Sequence, residues 1–199
     1  MGRPSNTEQR RAEIAAALGA LIASEGYERA TIAAIAKRAG LAPGLVHYHF
    51  RDKDEILLAL VARIVATLEA RVEARLRECT GDARARLHVL VDAHVALGDD
   101  DDPVAVATWA AIAAEAMRRE EVQAHYARAI AATLGRLEKL VRAALREAGK
   151  ETRAAKAIAA AVLSAIEGAY LLHRAAPGVL PPGYAAPALH ALIDGVLDA

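Results

Sequence analysis

The residues best equipped for chemistry lie in one stretch, Thr31 to Lys53, which reads TIAAIAKRAGLAPGLVHYHFRDK. It sets hydroxyl, imidazole, phenol and ammonium groups among a small residue, a glycine and an apolar residue. Ala36 is small enough for two helices to approach closely. Gly40, four positions on, accepts a positive φ for a tight turn. Val46, six further, can face back toward the first helix. This spacing predicts a helix-turn-helix whose second helix is only about eight residues long, the geometry that enters a DNA major groove. Metal or covalent chemistry fits poorly. His47 and His49 are two apart and do not share a helical face. The chain has no glycine-rich phosphate loop, no His-Glu-x-x-His and no nucleophile elbow, so neither an enzyme nor a cofactor is expected.

Within that stretch each side chain has an expected role. Thr31, at a helix start, offers hydroxyl and amide to a phosphate. Lys53, at the start of a later helix, adds a charged phosphate contact. His47 and Tyr48 are donors to the backbone or groove edge. Ala42, Pro43, Gly44 and Leu45 face the groove floor with few side-chain donors. Readout there leans on thymine methyls, backbone groups and DNA shape. Val46 and Phe50 are assigned to the core. Arg3, Arg10 and Arg11 either add a flexible arm or further phosphate contacts, or are solvated surface arginines.

A second group of polar residues sits in the apolar segment Val104 to Met117. A helix apolar almost all round is usually buried, and a buried polar group needs a partner. Thr108 and Glu115 share a face with Ile112; Glu115 is either a partly exposed helix-end residue or, with Thr108, a polar anchor inside an apolar pocket for a small ligand. Trp109, Tyr126 and Tyr170 are further ligand candidates, with His88, His94 and His173 behind them. Met117 and Cys79 are expected to be plain packing residues. The run Asp99 to Asp102 precedes Pro103 and reads as a helix start, because negative charge suits the positive helix end. It lacks the spaced ligands, glycine and closing glutamate of a calcium loop.

The elements that must hold these residues are helices. Alanine supplies 51 of 199 residues and leucine 23, with only seven aromatics, and alternating strand patterns are absent. Ser5 to Glu8 can form a capping box for a first helix that Gly26 stops. A short helix follows Thr31, and another runs from Pro43 to Phe50. A long helix covers Lys53 to Glu78, roughly 39 Å at 1.5 Å per residue. Further helices cover about 83–97, 103–118, 121–148, 151–175 and 184–197. One cysteine permits no intrachain disulfide, no apolar leader is seen at the N-terminus, and Ala175 to Ile193 holds four prolines. A cytoplasmic, soluble protein is the expectation.

Over Arg10 to Leu60 the chain resembles the TetR family of bacterial transcriptional regulators. The resemblance rests on Gly26-Tyr27, Ala30-Thr31-Ile32, Ile35-Ala36, Ala39-Gly40, Tyr48-His49-Phe50 and Lys53-Asp54-Glu55-Ile56, all in register. Trp109, Tyr126 and Glu167-Gly168 are similar to C-terminal domains of regulators related to choline-responsive betaine-pathway repressors. The resemblance implies an all-α homodimer, with a three-helix DNA-binding head at 1–53 and a ligand-binding and dimerisation body at 54–199. It implies a repressor released from a palindromic DNA operator by a small-molecule effector. The dimer would form through helices near 151–175 and 184–197, with the long helix from Lys53 as lever. This chain has Ala42 where the family usually has Ser or Thr, and His47 where it often has Tyr.

The charge balance agrees with this division. The formal net charge is zero, yet Met1 to Lys53 holds eight Lys/Arg against five Asp/Glu, while the rest holds 17 against 20. Averaging hides a basic head, where counterion release needs positive charge.

Overall fold

The computed structural model describes residues 6–95 and 103–199, and among these every regular element is an α-helix. In chain order they are α1 (Asn6–Glu25), α2 (Ile32–Ala39), α3 (Pro43–His49), α4 (Lys53–Glu78), α5 (Ala83–Val95), α6 (Pro103–Ala116), α7 (Glu120–Glu147), α8 (Ala155–Ala175) and α9 (Ala185–Asp198). The Ser5 cap, Arg3 and the Asp99 to Asp102 run lie outside the described residues. The predicted helix over 151–175 begins instead at Ala155, because Thr152 to Ala155 is a turn closed by the Ala155 amide on the Thr152 carbonyl, 3.1 Å.

The chain packs as two compact units. One holds the described residues of 1–66 and 102–126, the other those of 67–101 and 127–199. α4 and α7 each contribute to both. In the first unit, Ile14, Leu18, Ile35, Val46, Phe50, Ile56 and Leu57 form a core that also takes in Ile112, Ala116 and Val122. The expected boundary at residues 53 and 54 therefore does not follow the packing. α6 lies against α1, where the Thr108 hydroxyl donates to the Gly19 carbonyl at 3.3 Å. The reason is that α1 carries apolar residues on more than one side.

The second unit is centred on Leu87, Leu90, Leu137, Val141, Leu163, Ile166, Leu189 and Ile193. At the α5–α9 contact, His88 and His190 stack with ring centroids 4.0 Å apart. The Nε2 of each approaches an aspartate on the opposite helix, His88 to Asp194 at 3.0 Å and His190 to Asp92 at 2.9 Å. α8 buries Ala155, Ala159, Val162, Leu163, Ile166 and Ala169 at helical spacing. By length and composition Ala155–His173 is apolar enough to cross a membrane, but that buried stripe is the pattern of a helix packed in a core.

Candidate DNA-binding surface

The helix-turn-helix forms as the spacing requires. Thr31 caps α2: its hydroxyl oxygen accepts the Ala34 amide at 3.1 Å, which leaves the hydroxyl proton free to donate outward. Gly40 ends α2 at φ +68°, a conformation costly for any residue with a Cβ. Pro43 opens α3, where a missing N–H costs nothing. Ala42 sits at the N-cap without a side-chain bond. Ala36 and Val46 are fully buried, and Phe50 almost so.

With Val46 and Phe50 turned inward, α3 presents its other face to solvent. Ala42, Pro43, Gly44, His47 and Tyr48 are exposed, Tyr48 at 79% and Leu45 at 39%. A Cβ added at Gly44 would meet no protein atom within 4 Å, so internal packing does not demand glycine there. The expected DNA contacts on α3 thus form one open strip, with the Tyr48 ring edge-on to His49 at 5.1 Å.

Two clamps that the sequence did not disclose brace the surroundings of this strip, one at the end of α3 and one at the start of α4. Arg11 of α1 donates to the His49 carbonyl, pairs with Glu55 at 2.9 Å and lies 3.9 Å over the Phe50 ring. It joins the end of α3 to the start of α4 and is neither a flexible arm nor a solvated arginine. Arg10 pairs with Glu13 at 2.7 Å. The α4 start is itself capped. Asp52 accepts the Glu55 amide at 2.8 Å, and Glu55 accepts the Arg51 amide at 2.9 Å. That amide bond, then Arg11, holds the Glu55 carboxyl below the usual range.

The second clamp involves Lys53. Its ammonium donates to the Tyr27 carbonyl at 3.0 Å and lies 4.0 Å from the centre of the Tyr27 ring. The Tyr27 phenol donates to Asp54 at 2.6 Å and accepts from Arg119 at 2.8 Å, while Arg119 also pairs with Asp54. Burial, then the bond to Asp54, pushes the Tyr27 phenol far above its usual range. The Arg119 bond holds the Asp54 carboxyl down. No local spacing links Tyr27, Asp54 and Arg119, which come from three separate segments.

The expected ligand residues are divided between the units: Thr108, Trp109, Ile112, Glu115 and Tyr126 in the first, Tyr170 in the second. Thr108 is committed to Gly19, and Ile112 is core. Glu115 is 7% exposed, with Arg118 at 4.0 Å. Trp109 and Tyr126 form a tilted ring pair 5.0 Å apart. His94 is a satisfied core residue, its Nδ1 2.8 Å from the Leu90 carbonyl, and burial lowers its pKa. Met117 is not a packing residue but stands 81% exposed in the α6–α7 turn.

Comparison with known proteins accounts for this arrangement. Residues 13–60 match the model for bacterial regulatory proteins of the tetR family, and residues 83–198 match the C-terminal model for BetI-type transcriptional repressors. The chain belongs to the tetR family of transcriptional regulators, with a C-terminal region of the BetI type. The regulator BetI of Paraburkholderia phytofirmans is 32% identical over 112 residues, which are 56% of this chain and 57% of that protein. The chain thus spans about half the length of the curated relatives it matches. A transcriptional regulator from Rhodococcus sp. Rha1 superimposes with a TM-score of 0.81 at 26% identity, over 98% of this chain and 97% of that one. A regulator from Saccharomonospora viridis, solved in complex with choline, has a TM-score of 0.80 at 21% identity, over 96% of each chain. These relatives are regulators, not enzymes.

Proposed function

We propose that the protein is a cytoplasmic, homodimeric repressor that binds a palindromic DNA operator and leaves it when a small molecule binds. The observation that carries this reading is the open strip on α3, backed by buried Val46 and Phe50 and flanked by Thr31 and Lys53. Thr31 and Lys53 fix the register on phosphates. His47 and Tyr48 reach the backbone or groove edge. Ala42, Pro43, Gly44 and Leu45 lie along the bases. A site with so few base-reading donors draws its specificity from thymine methyls and DNA shape.

Dimerisation is supported by α8 and α9. Each buries one stripe, yet Leu171, Leu172, Leu192 and Val196 remain exposed on them. A second apolar face on two neighbouring helices suits a symmetric partner. Two copies would set their α3 helices about 34 Å apart, one DNA turn.

The effector reading rests on Trp109 and Tyr126, with Glu115 on the same helix as Trp109. An aromatic pair such as Trp109–Tyr126 offers π faces of the kind that hold a quaternary ammonium. Choline is therefore the first compound to assay. It acts only if it binds one head spacing better than the other, and α4 is the element through which that preference travels.

The test is selection of genomic fragments by the purified protein, followed by titration of the recovered duplex with and without choline. A palindrome with half-sites about ten base pairs apart is the expected product. Recovery of no DNA above background overturns the reading. Tight choline binding that leaves operator affinity unchanged removes choline as effector while leaving the DNA reading intact.

A further inference from the structure

We infer that Arg119, from the turn between α6 and α7, is a positioning residue for DNA binding: it fixes Tyr27 and neutralises Asp54, and so holds Lys53 ready for a phosphate. The inference rests on the reading of Lys53 as a phosphate contact.

Both groups that hold the Lys53 ammonium belong to one residue. The Tyr27 carbonyl takes one proton at 3.0 Å, and the Tyr27 ring lies beneath the charge at 4.0 Å. Two protons of the ammonium remain for other acceptors. Where Tyr27 goes, Lys53 follows. Tyr27 is held in turn by a closed ring of three groups. Its phenol donates to Asp54, Arg119 donates to the phenol, and Arg119 pairs with Asp54. All three residues lie in the first unit, although Arg119 is 92 positions from Tyr27 in the chain.

Asp54 makes the arrangement more than a packing detail. Asp54 follows Lys53 in the chain, at the first turn of α4, and its carboxylate is partly open to solvent. Unpaired, it would compete with an approaching phosphate for the lysine ammonium. Arg119 cancels that charge with a planar fork that reaches Asp54 and the phenol together, which a lysine cannot reproduce. The turn also joins the helices that carry Trp109 and Tyr126, so a displacement of either is felt at Lys53 through one side chain.

The experiment measures affinity for a mixed-sequence duplex across a salt series, using wild type, R119A, K53A and the double variant. K53A is expected to lower the salt slope by about one unit. R119A is expected to weaken binding about fivefold, on the scale of one ordinary net hydrogen bond, and to lower the slope in the same direction. The double variant should be no weaker than K53A alone. Adding D54N to R119A should recover affinity, because the uncancelled charge is removed. Additive losses, or an R119A slope equal to wild type while K53A falls, overturn the positioning role and leave the phosphate contact standing. An unaltered K53A overturns the phosphate contact and the inference with it. If R119A does not fold, as judged by its helical circular dichroism, Y27F replaces it. That variant keeps the ring and carbonyl for Lys53 and cuts both links to the clamp; wild-type affinity and slope in Y27F would overturn the inference.

Discussion

At the scale of single residues, Gly44 is a glycine that folding does not require, and the proposed DNA contact gives it a use. It lies in α3 with open space where its Cβ would be, so the fold gains nothing from glycine there. A helical glycine costs up to about 1 kcal/mol relative to alanine. Glycine at an exposed position of a reading helix instead permits close approach of a DNA backbone or base. G44A should therefore keep or raise the melting temperature while lowering operator affinity. Affinity equal to wild type would take Gly44 off the contact strip. Thr108 shows the opposite case: its polar group serves packing, because its buried hydroxyl donates to the Gly19 carbonyl and would otherwise be left without a partner.

At the scale of elements, the two short helices differ in their starts. α2 has a working N-cap in Thr31, and α3 has none, since Ala42 offers no side-chain oxygen. Isolated helices of seven or eight residues are far too short to persist, so caps and packing decide their order. T31A should cost about 1 kcal/mol of stability, and A42S should return a comparable amount by bonding an amide in the first turn of α3. Chemical denaturation of both variants checks this. A stability of A42S equal to wild type would mean that Pro43 and the turn already fix the α3 entry. Since Ala42 belongs to the proposed contact strip and Thr31 is a proposed phosphate contact, operator affinity should be read alongside stability.

At the scale of the whole molecule, the prediction concerns assembly. Leu192 is 64% exposed on α9, and the buried stripe of that helix runs through Leu189, Ile193 and Leu197. L192R should thus leave the fold intact and introduce like charges into the proposed symmetric apolar interface. Sedimentation should show a monomer, and affinity for a full palindrome should fall to that for a half-site. A dimer that survives the charge would place the interface away from this face of α9.

Much of this was legible in the sequence, and for a physical reason. Helix-forming composition, Thr31 as a cap, Gly40 at positive φ, Pro43 at a first turn, and Ala36 with Val46 and Phe50 as the inner face are local properties, fixed within a few residues of chain. The span of α4 followed from its periodicity in the same way. The tertiary structure alone decided what depends on distant segments meeting. It laid α6 on α1, against the boundary drawn at residue 54. It turned Arg11 from a phosphate candidate into the brace of α3, and made Thr108 a packing group. It also assembled Tyr27, Asp54 and Arg119 into one clamp beside Lys53. Hydrogen bonds and ion pairs between such segments leave no periodicity in the chain. They arise only where burial brings opposite charges together and makes leaving them unpaired costly.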